Sequence, residues 1–241
     1  MIQQFKHRLA WLAVCMSTVV QAQVWPVIAL PPNVDTFTVG DQLTANGVPM
    51  RVRGFVAKHM TVAQAVDWFK SSMGQPLVEN KLGKQIILGR AQGGFYFTVQ
   101  IESMREGGFG GVKGLTAVSD IAAFNAGKSQ QVREVSRWLD RWPAGTQEMN
   151  RMSSQDHQKT SVYMSLRNGH SAELNRLALI DALKQDGLSL ERETAKETRA
   201  GMSLFFKGVH KEATATIGKT EAGKTDIVIN TITHHTGSNK Q

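Results

Sequence analysis

Residues 218–225 read GKTEAGKT and have the spacing of a phosphate-binding loop, in which four residues separate a glycine from the sequence Gly-Lys-Thr. Such a loop holds phosphates only when a helix follows it, because the free amides of the helix N-terminus bind the anion. The next residues, 226–232, read DIVINTI, and β-branched side chains of this kind are typical of a strand. We therefore predict a β-hairpin turn at residues 218–225 and no nucleotide site.

Histidine, serine and carboxylate side chains offer the other candidate chemistry. His234 and His235 are adjacent, so on a strand they point to opposite faces and do not readily share one metal ion. His170 and Glu173 would meet in the first turn of a helix, but no third ligand accompanies them. The sequence has no Gly-x-Ser-x-Gly nucleophile elbow. We predict no catalytic residue, no metal and no cofactor; a hydrolase assembled from distant residues is a further alternative.

Tryptophans are the candidate contacts for a protein partner, because they are frequent among the residues that dominate binding energy at interfaces. Trp25 lies in a proline-containing segment that we predict to be an extended arm. Trp138 and Trp142 lie on one apolar face of a helix predicted within residues 129–142. The alternative for this second pair is packing against the core.

Basic residues are the candidate contacts for an anionic ligand. The formal net charge is +8, but lysine and arginine are scattered and form no basic run, so a nucleic-acid partner is not expected. Dispersed charge is typical of solvated surface. The alternative is a cationic face that binds a lipid headgroup or polysaccharide, formed by Arg51, Arg53, Lys84 and Arg90.

The elements that must position these residues follow the same order twice. Each half has a strand, then a helix that begins at Thr61 or Ser171 and ends at Gly74 or Gly187, and then four β-rich runs. The runs predicted as strands are residues 50–56, 77–78, 85–88, 95–101 and 112–118 in the first half, and 161–166, 188–191, 202–206, 213–217 and 225–232 in the second.

This order predicts an α+β fold made of two tandem copies of a β-α-β-β-β-β unit, each an antiparallel sheet with one packed helix, joined by an amphipathic linker helix. It is similar in topology to the helix-grip modules of periplasmic envelope-assembly proteins, and this resemblance implies a binding role without assigning residues. The predicted segments are a signal peptide at residues 1–22, an N-terminal arm at 23–36, a first module at 37–120, a linker with its helix at 121–146, a second module at 147–234 and a tail at 235–241.

Residues 1–22 have the pattern of a cleavable signal peptide. A basic start is followed by an apolar stretch from residue 9 to residue 20 and by Val20-Gln21-Ala22, which predicts cleavage after Ala22. Cys15 offers the alternative of a lipid-attachment site. Cleavage after Ala22 would remove this single cysteine and leave no disulfide.

Together these patterns predict an exported, periplasmic or secreted protein that binds rather than catalyses. The first hypothesis is a scaffold with an envelope protein partner, such as an accessory of a cell-envelope, secretion or pilus assembly. The second is a binder of an anionic envelope ligand. The oligomeric state is left open.

Overall fold

The computed structural model describes residues 25–40, 42–104, 110–156, 158–195 and 201–235. The predicted signal peptide, with Cys15 and the cleavage position at Ala22, lies outside the described residues, as does most of the predicted tail.

Thirteen strands and three helices occur in this described part of the chain. The elements of the first half are β1 Asp35–Thr38, β2 Gln42–Ala45, β3 Val48–Ala57, α1 Val62–Met73, β4 Val78–Leu82, β5 Gln85–Gln92, β6 Phe95–Ser103 and β7 Val112–Asp120. Those of the second half are α2 Ile121–Leu139, β8 Gln147–Gln155, β9 Lys159–Asn168, α3 Ala172–Gln185, β10 Leu188–Ala195, β11 Met202–Gly208, β12 Lys211–Lys219 and β13 Thr225–His234. Strands hold 51% and helices 23% of the described residues, so the sheet dominates the α+β content.

All these strands belong to one antiparallel sheet, so the prediction of two tandem β-α-β-β-β-β units is wrong. The strand order is β10-β11-β12-β13-β9-β8-β2-β3-β7-β6-β5-β4, and β1 pairs with the second half of β3. The prediction failed because it omitted β2 and β8, which connect the two halves. Strand β8 reads QEMNRMSSQ and has no β-branched or aromatic residue, so it lacks the composition typical of a strand.

The pairing of β2 with β8, which we call the β2–β8 join, holds the halves together. Residues 42–45 run antiparallel to residues 152–155. The hydroxyls of Thr44 and Ser153 are hydrogen-bonded at 2.6 Å. Beyond β2, the Asn46 amide donates to the Arg151 carbonyl at 2.7 Å, and the Arg151 amide donates to Asn46 Oδ1 at 2.9 Å. Asn46 has a φ of 49°, a left-handed conformation that asparagine tolerates in turns.

Each half has its own hydrophobic cluster. The first, under α1, includes Phe55, Phe69 and Leu88, and the second, under α3, includes Leu166 and Leu179. Side chains alternate along a strand and directly paired residues share a face, so the register across the β2–β8 join places both clusters on the same face of the sheet.

The predicted helix starts are confirmed. The side chain of Thr61 accepts from the Gln64 amide while the Gln64 side chain accepts from the Thr61 amide, which makes a capping box. Ser171 caps α3 in the same manner through the Leu174 amide. Gly74 and Gly187 follow the helices with φ of 70° and 82°, values that favour glycine.

The linker helix α2 is longer than the predicted one and begins after Asp120, whose carboxylate accepts from the Ala123 amide at 2.7 Å. At its other end, Trp138 packs in part against the second cluster and Trp142, just beyond the helix, is only 6% exposed. The structure therefore places Trp142 in the core of the second cluster.

A buried pair of asparagines ties α3 to β9. Asn168 Nδ2 donates to Asn175 Oδ1 at 2.6 Å, and Asn175 Nδ2 donates to Asn168 Oδ1 at 2.9 Å. Asn175 also donates to the Ser171 carbonyl, and Asn168 to the Thr146 hydroxyl. Buried amides satisfied in this way fix the helix on the sheet, whereas unpaired ones are costly.

We expect Asn175→Ala to lower the free energy of unfolding by about 2–3 kcal/mol, because it removes the buried partner of Asn168. Urea denaturation followed by circular dichroism measures this change. Asn230→Ala, at an exposed position of β13, is the control and should change stability by less than about 0.5 kcal/mol. Equal effects of the two substitutions would contradict a stabilising role for the buried pair.

Candidate binding site

A groove of about 550 Å³ lies beside the β2–β8 join, on the face that carries α1. Its floor includes Arg51 and Arg53 of β3 and Thr116 and Val118 of β7, and one wall is the N-terminal arm. We call it the arm groove; its lining is Trp25, Pro26, Val27, Ile28, Thr38, Gly40, Gln42, Arg51, Val52, Arg53, Thr116, Val118, Gln155 and Asp156.

The arm forms this wall because its apolar side chains pack on the sheet. Ile28 is 6% exposed within the first cluster, and Trp25, Leu30 and Val34 are partly buried against it. The prolines of this segment fix φ and lack amide donors, so residues 25–34 lie on the sheet through their side chains. The last two residues of the predicted arm, Asp35 and Thr36, begin β1 and pair with β3.

Trp25 holds Arg51 in place at the groove. The Arg51 guanidinium carbon lies 5.0 Å from the centre of the Trp25 ring, a distance typical of a cation–π interaction. The indole also contacts Phe95, with ring centres 5.7 Å apart and planes tilted by 58°. Trp25 thus links the arm to two strands and orders one cation of the groove.

Arg53 is the second cation of the floor. It lies two residues from Arg51 on the same strand and therefore on the same face, with the two Cα atoms about 7 Å apart. Its side chain is exposed, while its carbonyl accepts a hydrogen bond from the Thr116 hydroxyl at 3.3 Å. The two guanidinium groups together offer planar sets of donors that match carboxylates.

The opposite wall comes from the β2–β8 join. Gln42 begins β2 and Gln155 ends β8, and the two are directly paired. Asp156 follows and accepts from the amides of Gln158 and Lys159 at 3.1 and 2.9 Å, which orders the turn into β9. The lining of the groove therefore combines side-chain amides with guanidinium groups, a set of donors and acceptors suited to polar recognition of an extended chain.

The structure brings Trp25, Arg51 and Arg53 together but leaves the other predicted anion contacts apart. Lys84 lies in the turn between β4 and β5. Arg90 is paired across adjacent strands with Phe97, Phe97 with Val118, and Val118 with Arg51. The backbones of Arg90 and Arg51 are therefore three strand spacings apart, about 14 Å. The Arg90 guanidinium lies beside Gly74 at the end of α1.

The predicted tryptophan pair of the linker lies away from the groove. The ring centres of Trp138 and Trp142 are 5.3 Å apart, and the Arg151 guanidinium lies 5.5 Å from the Trp138 ring. Since Trp142 is buried, it presents little surface to a partner.

Sequence reasoning missed Gln42, Thr116, Gln155 and Asp156. Three of these belong to β2, β8 and the turn after β8, which lack strand composition, so no local signal marks them. Gln155 and Asp156 reach the groove only through the long-range pairing of β2 with β8, whereas Gln42 is placed by the β2–β3 hairpin and Thr116 by the pairing of β3 with β7.

The residues with the spacing of a phosphate-binding loop form the turn between β12 and β13. Strand β13 begins at Thr225, which confirms the predicted strand. Arg167 donates to both carboxylate oxygens of Asp226, at 2.6 and 2.8 Å, and these hydrogen bonds lower the pKa of Asp226.

In the described part of the chain, no group of three or more histidine, cysteine, aspartate and glutamate side chains is placed to hold a metal ion. None of the helices described combines the length and the apolar character needed to cross a membrane.

No family model matches the chain, and no curated protein sequence matches it. Among solved structures, the apo form of the immunity protein TplEi of the T6SS from Pseudomonas aeruginosa is similar to it with a TM-score of 0.30 and 12% sequence identity. The match covers 86% of this chain and 84% of that chain. At this TM-score the likeness assigns neither a fold nor a function to this protein.

We expect Trp25→Ala to release the arm, because it removes the contacts with Arg51 and Phe95. Loss of an aromatic pair and a cation–π contact of about 1–2 kcal/mol would raise the population of the released arm, and so its rate of proteolytic cleavage, by roughly 5- to 30-fold. Limited proteolysis with a protease of broad specificity, followed by mass spectrometry, measures this rate.

The control for this substitution is Val27→Ala, on the same arm but with a side chain 66% exposed. It should leave the rate of cleavage within the arm unchanged. Similar rates in both variants would show that Trp25 does not hold the arm.

Proposed function

We propose that the protein is a non-catalytic binding protein of the cell envelope that holds an acidic, extended segment of a protein partner in the arm groove. The observation that carries this proposal is the pair of guanidinium groups, Arg51 and Arg53, on the groove floor, with Arg51 ordered by Trp25. Carboxylates are the natural ligands of such a pair because arginine donates two parallel hydrogen bonds to them.

Preorganisation supports recognition at this site. Arg51 is already stacked on Trp25, so binding sacrifices less side-chain freedom than it would for an unrestrained arginine. On the other wall, Gln42 and Gln155 carry amide groups that both donate and accept. An extended segment has free main-chain amides and carbonyls, and glutamine side chains can form hydrogen bonds with both.

The lining of the groove supports binding rather than catalysis. None of its described residues is a serine, cysteine or histidine, so no Ser–His or Cys–His pair of nucleophile and base is provided there. We therefore rank a hydrolase below both binding hypotheses.

The envelope location rests on the signal-peptide pattern of residues 1–22. A formal net charge of +8 favours encounter with an acidic partner, because opposite charge steers association. We propose that the partner is a component of an envelope assembly, such as a secretion or pilus apparatus.

An anionic lipid headgroup or polysaccharide is the second candidate, supported by the same two arginines. A broad anionic surface would engage Lys84 and Arg90 as well, yet these lie apart from the groove. The compact site therefore favours a localised acidic segment.

Charge reversal at the groove tests the proposal. The tagged protein is captured from envelope fractions of its own cells as wild type, Arg53→Glu and Lys84→Glu. We expect wild type and Lys84→Glu to retain one stoichiometric protein through a high-salt wash. Arg53→Glu should bind it at least about 30-fold more weakly, because it loses a charged hydrogen-bonded contact.

The two variants change the net charge equally, so Lys84→Glu controls for general electrostatics. Equal loss of the partner in both variants would contradict recognition in the groove. Recovery of salt-eluted lipid or polysaccharide alone would favour the anionic-ligand hypothesis, since exposed charge attraction is screened by salt.

A further inference from the structure

The two edges of the large sheet differ in how they are protected against further strand pairing. At one edge, β10 has a register shift between Leu190 and Arg192 and carries Glu191, Arg192 and Glu193 in succession. A bulge and clustered charge are the usual means by which an edge strand avoids pairing with another chain. The β10 edge is therefore protected.

At the other edge, β4 has no such break. Its five residues pair with β5 in continuous register, and all are exposed. Val78 and Leu82 keep 55% and 65% of their surface open to solvent. Helix α1 packs over β5 and β6, so among the described residues nothing covers the outer edge of β4.

The sequence of β4, VENKL, is complementary to itself. When a second copy is placed antiparallel to it about a two-fold axis at Asn80, Val78 faces the other copy's Leu82. On the opposite face of the strand, Glu79 faces the other copy's Lys81. Opposite charges and apolar pairs directly across from each other stabilise antiparallel strands.

The faces of the sheet are compatible with this pairing. Glu79 pairs with the buried Leu88 and so lies on the face of α1, where it also contacts Lys70 Nζ at 2.6 Å. Val78 and Leu82 lie on the opposite, uncovered face. In the two-fold arrangement, two apolar pairs would flank the central asparagines on that face, and two ion pairs would line the other.

We propose that two copies of the protein associate through antiparallel pairing of their β4 strands, with the two-fold axis at Asn80, so that their sheets become continuous. This surface is distinct from the arm groove and goes beyond the proposed function. A closed two-fold contact uses the same patch on both copies. Because the contact is short, the dimer dissociates on dilution.

Cysteine cross-linking tests the register of this pairing. In a Cys15→Ser background, Asn80→Cys places two thiols opposite each other with Cα atoms about 4.5–5.5 Å apart, within the range that a disulfide spans. We expect a covalent dimer under mild oxidation. Val78→Cys is the matched control on the same strand and face: the paired register separates its two copies by about 13 Å, so no disulfide should form.

Sedimentation velocity over a dilution series tests the association without cross-linking. Wild type should shift from monomer to dimer as the concentration rises. Leu82→Lys should need at least a tenfold higher concentration to form the dimer, because it disrupts both pairs of Val78 with the other copy's Leu82. Circular dichroism confirms that this variant is folded. A wild-type monomer at every concentration, or equal cross-linking of Asn80→Cys and Val78→Cys, would overturn the proposal. Loss of the groove partner in Arg53→Glu leaves these results unchanged, so the two proposals can fail separately.

Discussion

The architecture depends on the pairing of two unremarkable strands, β2 and β8. Each half of the chain has its own hydrophobic cluster and its own helix on the sheet, so the clusters alone do not require contact between the halves. The main-chain hydrogen bonds of the β2–β8 join, together with the contact between Thr44 and Ser153 at 2.6 Å, supply that contact. Gln42 lies near Arg51 through the pairing of β2 with β3, but without the join Gln155 and Asp156 would not reach the groove, and the arm groove would lose part of one wall.

The arm completes the site through ordinary packing. Burial of Ile28 against the first cluster holds an extended, proline-containing segment on the sheet, and the same packing brings Trp25 over Arg51. A hydrophobic contact thereby orders a charged group at the surface. This coupling explains how a protein with scattered basic residues gains one localised and preorganised cationic site.

Local patterns predicted the elements that local interactions determine. The capping box at Thr61, the cap at Ser171 and the β-branched run at residues 226–232 depend on neighbours within a few positions, and all three predictions agree with the structure. The arrangement was predicted wrongly because it depends on β8, whose sequence has no strand composition. The grouping of Trp25 with Arg51 follows from packing of the arm on the sheet. The separation of Arg90 from them follows from long-range register that no spacing along the chain reveals.

Hydrogen exchange at the β2–β8 join tests the account most directly. Strands inside a single cooperative sheet open only with much of the surrounding structure, so the amides of β2 and β8 should exchange as slowly as those of the adjacent strands β3 and β9. Rapid exchange of β2 and β8 while β3 and β9 stay protected would contradict the account, because the two halves would then be separate units and the groove between them would have no fixed geometry.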